Sequence, residues 1–116
     1  MDSNQLPIVA WPFGDASFEN LTASGVQNIL IANNLTFIDG DSVMATGDRT
    51  LKLSAASVLG AGARLVLKHK ATGTEAITPG ALMQGTTITG VAGKTIVVEY
   101  IYDGAAFIQL SQIQID

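Results

Sequence analysis

Residues 95–111, TIVVEYIYDGAAFIQLS, contain the pattern that decides the fold class. β-branched and aromatic side chains fill IVVEYIY and much of AAFIQL, and such residues favour extended strands. Asp103 and Gly104 separate the two runs, and an Asp-Gly pair supplies the positive φ that a tight hairpin turn requires. The stretch therefore predicts a β-hairpin.

Upstream segments repeat the pattern of a short strand bounded by Asn, Gly or Asp. In TLKLS, Leu51 and Leu53 alternate with polar neighbours, as in a half-buried strand. In ARLVLKHK the same alternation places Leu65 and Leu67 on the face opposite Arg64, Val66 and Lys68. We expect a further short strand at 86–89. The small-residue stretch 54–63 fits either a helical turn or a crossover. The chain is thus predicted to be all-β, a compact antiparallel β-sandwich or small barrel of about seven strands.

The first twenty-five residues differ from the rest, and we predict an extended N-terminal arm at 1–25 and a β-domain at 26–116. Two prolines restrict the arm's backbone and disfavour a place in a central ladder. Within the arm, residues 15–24 could form a short helix capped by Asp15. Large apolar side chains follow one another before that segment, and they could fill a pocket on a partner, stack on a sugar or close the protein's own core. The candidate partner-binding residues are Ile8, Val9, Trp11 and Phe13.

The composition favours an oligomer and disfavours partners that are recognised by charge. Hydrophobic residues make up 47% of the 116 residues and charged ones only 14%, so part of the surface must be apolar. A net charge of -4 without basic clusters disfavours nucleic acid and anionic membranes as partners. The chain has no cysteine, which excludes disulfides and thiolate metal sites. Its N-terminus lacks the pattern of a secretory signal peptide, so we expect synthesis in the cytoplasm.

The motifs that could carry chemistry favour structural interpretations, so we expect no enzyme and no cofactor. Gly-Lys-Thr at 93–95 resembles the end of a phosphate-binding loop, but Ile88 stands where that loop requires glycine and a strand pattern follows. The single histidine, His69, is expected to be solvated at the end of a strand. Glu99 is expected to face outwards or to pair with a lysine. The acidic segment at 39–48 lacks the ligand order of a calcium loop, and an Asp-Gly turn accounts for its first residues, so no metal is expected; its aspartates are Asp39, Asp41 and Asp48.

Two segments of the C-terminal half, GARLVLKHKATGTEAITPG and GTTITGVAGKTIVVEYIYDGAAFIQLS, resemble a known family. They are similar to the β-domains of small bacteriophage virion proteins, namely head-fibre and capsid decoration proteins, and to β-modules of phage tail fibres. The resemblance covers residues 35–115. It implies a homotrimer in the virion, bound to the major capsid protein or another virion component on the outside of the capsid. It also implies that Gly90 and Gly93 serve a tight turn before a strand.

Two functions remain open at this point. One is a trimeric decoration or head-fibre protein that the arm anchors to the capsid. The other is a fibre tip that recognises a host-surface glycan through exposed loops and aromatic side chains. Because tail fibres carry long shaft repeats and this sequence shows none, we favour the first.

Overall fold

The computed structural model describes residues 16–116, which form ten strands and, within that range, no helix. Strands account for 61% of these residues, which confirms the all-β prediction. The strands are β1 Ala16–Asn20, β2 Gly25–Ile31, β3 Leu35–Ala45, β4 Arg49–Ala55, β5 Arg64–Ala71, β6 Ala76–Pro79, β7 Met83–Gln84, β8 Ile88–Thr89, β9 Thr95–Tyr102 and β10 Phe107–Gln114.

The strands belong to two sheets, and the chain alternates between them from β1 to β9. One sheet has six strands in the order β1-β3-β5-β9-β10-β7, and the other has four in the order β2-β4-β6-β8. Pairs β1–β3, β3–β5, β2–β4, β4–β6 and β7–β10 are parallel, whereas β5–β9, β9–β10 and β6–β8 are antiparallel. The prediction of a purely antiparallel arrangement is therefore wrong.

The parallel pairs follow from how the turns are used. The short connections after β1, β2 and β3 carry the chain to the other sheet and do not fold a strand back on its neighbour. When the chain returns to the first sheet, it has reversed direction twice and lies parallel to the strand it left. Turn residues mark the ends of strands in the sequence, but they do not say which sheet the next strand joins.

The core lies where the inward-facing side chains of both sheets meet. Leu51 and Leu53 from β4 are buried against Leu65 and Leu67 from β5, as their alternation predicted. Burial of each such side chain stabilises the fold by about 1.5–3 kcal/mol. The core also contains large side chains from β2, β3, β6, β8, β9 and β10, among them Ile29, Ile31, Ile38, Ile77, Ile88, Val98, Tyr100 and Phe107.

The predicted hairpin is present as the antiparallel pair β9–β10. Gly104 has a φ of +99°, and the Asp103 carboxylate accepts hydrogen bonds from the backbone N–H groups of Ala105 and Ala106, both at 2.8 Å. These two bonds hold the pKa of Asp103 below its ordinary value, and the bond from Ala106 has the larger effect. The strand predicted at 86–89 is also present as β8.

The prediction of a helix at 15–24 is wrong for the described residues 16–24, which contain β1. This strand pairs in parallel with β3, so its backbone groups find partners in a ladder. Asn20 and Thr22 are weak helix formers, so local propensity does not oppose a strand here. The sheets thus begin before residue 26, where the β-domain was expected to start. Residues 54–63 form the end of β4 and a non-helical connection to β5.

Candidate association surface

One face of the six-stranded sheet points away from the core and carries apolar side chains along most of its strands. Its residues alternate with the buried ones, because successive side chains of a strand point to opposite faces. We call this surface the outer face. Its apolar members are half-buried or exposed, and they are Phe18, Leu35, Phe37, Val66, Val97, Ile101, Ile108 and Ile113.

A row of paired residues crosses the middle of the outer face. Phe18 on β1 lies opposite Phe37 on β3, which lies opposite Val66 on β5. The two phenyl rings stack with centroids 5.3 Å apart and an interplanar angle of 11°. Phe18 nevertheless remains 74% exposed. The edge strand therefore presents a large, oriented aromatic surface to the solvent.

Arg64 and Glu99 form an ion pair on the outer face. The Arg64 Nη1 atom donates to Glu99 Oε2 at 2.7 Å, from β5 to the neighbouring strand β9. The prediction that Glu99 faces outwards is confirmed, with an arginine as the partner. Both side chains are well exposed, so this pair contributes at most about 1 kcal/mol. Its main effect is to neutralise two charges within an apolar surface.

A second group of charges lies at the end of the outer face, where the register of β3 against β5 shifts. The Asp41 carboxylate lies 3.6 Å from Lys68 Nζ and 4.0 Å from Lys70 Nζ. The hydroxyl of Ser42 donates to Asp39, and this bond, with the backbone N–H groups of Asp41 and Ser42, lowers the pKa of Asp39. Together with Arg64 and Glu99, these groups give three cationic and three anionic side chains, so the charges of this surface cancel.

The aspartates of 39–48 serve local structure and do not converge on a common site. Asp39 binds the backbone N–H groups of Asp41 and Ser42 where the register of β3 against β5 shifts. Asp48 accepts a hydrogen bond from the backbone of Ala76 instead. Among residues 16–116, no group of three or more histidine, aspartate or glutamate side chains could hold a metal ion.

His69 is completely buried, so the prediction of a solvated histidine is wrong. The alternation of Leu65 and Leu67 continues inwards to His69 on β5. Its Nδ1 atom lies 3.1 Å from Arg49 Nη1 and its Nε2 atom 2.7 Å from the Glu75 carbonyl oxygen. Since a guanidinium group only donates, Nδ1 accepts and Nε2–H donates to Glu75. Burial, together with the positive charge of Arg49, lowers the pKa of His69.

Arg49 is the charged residue whose role the sequence pattern did not indicate. It is only 3% exposed, although arginine is seldom buried. Besides His69, its guanidinium donates to the carbonyl oxygens of Thr22, Gly40 and Val43. The alternation of TLKLS places residue 49 on the same face as Leu51, and this is the feature that could have revealed its burial. Burial lowers the pKa of Arg49.

The Gly-Lys-Thr segment is a turn followed by a strand. Gly93 has a φ of +70°, and the Lys94 N–H donates to the Val91 carbonyl oxygen at 2.8 Å. Strand β9 begins at Thr95, where a phosphate-binding loop would begin a helix. The prediction of a tight turn leading into a strand is confirmed.

The candidate partner-binding residues Ile8, Val9, Trp11 and Phe13 lie outside the described residues. A cleft of about 280 Å³ lies beside the exposed aromatic ring of β1, and it is lined by Phe18, Phe37, Ile38, Asp39 and Lys68.

The described part of the chain contains no helix that is long and apolar enough to cross a membrane. No protein-family model, curated protein or solved structure matches this chain.

Proposed function

We propose that this chain is a structural protein of a bacteriophage virion, a homotrimer that decorates the outer surface of the capsid as a decoration or head-fibre protein. The resemblance of residues 35–115 to such proteins suggests the setting. The observation that supports association is the outer face, where apolar side chains continue from β1 to β10 on a sheet surface that the core of residues 16–116 does not use.

The outer face suits contact with other protein surfaces better than contact with a highly charged ligand. Its charged groups are paired or balanced, so bringing a protein surface against it leaves no large excess of one charge to desolvate. Its apolar side chains supply the hydrophobic component that drives stable association. Neither nucleic acid nor membrane is part of the proposal, because the face offers no basic patch.

In this proposal the N-terminal arm is the capsid anchor. Ile8, Val9, Trp11 and Phe13 place four large apolar side chains within six residues. Pro7 before them and Pro12 among them lower the entropy lost when the segment is ordered on a partner. One aromatic side chain buried in a partner pocket contributes roughly 2 kcal/mol. A trimer presents three arms at once, so modest single contacts combine into strong binding.

The test uses capsids that lack this protein and a variant without residues 1–14. We expect the truncated protein to remain folded and trimeric but to lose binding to the particles, measured by co-sedimentation and electron microscopy. A full-length variant with Ile8, Val9, Trp11 and Phe13 changed to serine controls for length and should lose binding as well. Undiminished decoration by both variants would show that the β-domain docks directly and that the arm is not the anchor.

The cleft beside Phe18 favours a second candidate function, a fibre tip that binds a host-surface glycan. Aromatic rings stack on sugar faces, and the Asp39 carboxylate and the Lys68 ammonium group can bind hydroxyl groups beside them. Electron microscopy of the virion distinguishes the two functions, because a decoration protein lies on the capsid and a fibre tip at the end of a fibre. A glycan array gives a second criterion: binding that Phe18→Ala abolishes supports the fibre tip.

A further inference from the structure

We infer that the trimer closes through a contact between two different margins of the outer face, so that the β1 edge of one copy lies against the β10 edge of the next. This inference rests on the proposed trimer and specifies which surfaces form it. The two margins are defined by Phe18 on β1, and by Ile113 on β10 with Ile115 just beyond the strand.

The first margin is an aromatic surface on an edge strand. Strand β1 is the outermost strand of the six-stranded sheet within the described residues. Phe18 is 74% exposed, and its ring stacks on Phe37. An aromatic side chain has only two rotatable bonds and therefore loses little entropy when it is buried, and aromatic residues are enriched in protein interfaces.

The second margin lies on the far side of the same sheet. Strand β7 pairs with β10 only at Phe107 and Ile108, so within residues 16–116 the rest of β10 forms the sheet edge. Ile113 lies opposite Val97, on the outer face, and is 56% exposed. Ile115 follows with 58% exposure. This margin is aliphatic, so the aromatic ring of another copy can pack against it.

The arrangement of the margins indicates a second copy of the chain as the occupant. Each copy carries one aromatic and one aliphatic margin on opposite edges of one sheet, so every margin finds a partner when identical copies join head to tail. Such contacts close into a ring when the rotation allows it. The balanced charges between the margins leave no net charge on the outer face to repel the next copy.

Two single variants test the inference. Phe18→Asp removes the β1 margin from every copy, and Ile113→Asp removes the β10 margin. We expect each purified variant to be monomeric in native mass spectrometry at micromolar concentration, with each contact weakened at least roughly thirtyfold. Circular dichroism should show an unchanged fold, since both positions are exposed. Val58→Asp is the matched control: Val58 is 83% exposed but lies on the connection between β4 and β5, so this variant should remain trimeric.

A mixture of the two variants distinguishes contact between different margins from contact between identical ones. Equal amounts should form a heterodimer and stop there, because the intact β10 margin of the Phe18→Asp chain binds the intact β1 margin of the Ile113→Asp chain. Only damaged margins then remain. Trimers from either variant alone, or a mixture without heterodimers, would overturn the inference.

The same experiment separates this inference from the proposed function. If the wild-type trimer and the heterodimer form as expected but the trimer never binds capsids, the decoration function fails and the interface stands. If the wild-type protein decorates capsids while Phe18→Asp and Ile113→Asp both remain trimeric, the interface fails and the function stands. A wild-type protein that is monomeric at micromolar concentration contradicts the interface and the trimer together.

Discussion

Arg49 shows how a single buried charge can join several parts of this fold. Its guanidinium donates to carbonyl oxygens of the β1–β2 connection and of β3, and to His69 on β5, so a residue of the four-stranded sheet is tied to the six-stranded one. Gly40 makes room for this group, because a Cβ atom there would lie 2.7 Å from Arg49 Nη1 and 2.5 Å from the Lys68 carbonyl oxygen. The cluster holds because His69 is neutral and accepts a hydrogen bond.

This requirement predicts a stability that depends on pH through His69. The pKa of His69 is lowered in the folded protein and lies near 6.5 in the unfolded chain, so protonation favours unfolding. Its contribution is complete above pH 6.5 and is lost as the pH falls from there towards the lowered folded pKa. Urea unfolding between pH 8 and pH 5 should show a free energy of unfolding that falls below pH 6.5, by at most about 1.4 kcal/mol per pH unit for this one proton.

The control for this prediction is His69→Gln, which keeps an uncharged acceptor and donor but cannot titrate. Its stability should change much less between pH 7 and pH 5. The described carboxylates with lowered pKa values, Asp39, Glu75 and Asp103, lose their contributions only as the pH falls below about 4.5, outside this window. Equal slopes for the wild type and the variant would contradict the assignment.

At the scale of single elements, the segment around Lys94 has the letters of a nucleotide site without its structure. Lys94→Ala should therefore leave the fold and particle binding unchanged, because Lys94 lies in an exposed turn before β9. Titration calorimetry with ATP should show no heat of specific binding for either protein. Micromolar affinity in the wild type that the variant loses would mean that the turn binds phosphate despite its β-structure.

The elements also show what the sequence could and could not predict. The hairpin was predictable because Asp103-Gly104 and the strands beside it are contiguous, so local chemistry decides the pairing. The parallel pair β1–β3 was not, because it depends on residues 16–20 and 35–39 meeting after the chain has crossed to the other sheet. The strand alternation was correct as far as Leu67. It was wrong at His69 because hydrogen bonds with Arg49 and the Glu75 carbonyl oxygen allow a polar side chain to continue the inward-facing pattern.

At the scale of the whole molecule, an apolar outer face that residues 16–116 leave exposed is a cost for a monomer and a source of stability for an oligomer. The proposed trimer buries Phe18 and Ile113, whose exposed surfaces otherwise face water. Stability then includes the free energy of association, which grows with protein concentration. The candidate surface itself could not be predicted from the sequence, because the residues that compose it are brought together by the strand order.

Thermal unfolding should therefore depend on concentration. A trimer that unfolds to three chains gains about 2.7 kcal/mol per trimer for each tenfold rise in concentration, from mass action. With an unfolding entropy of about 2.1 cal/mol/K per residue over three chains of 116 residues, Tm should rise by roughly 4 °C per tenfold rise. Scanning calorimetry across two decades of concentration measures this slope. Phe18→Asp should unfold at a lower Tm that does not change with concentration, whereas Val58→Asp should follow the wild type. A wild-type Tm that is constant over the same range would mean that association contributes nothing to the stability of the fold.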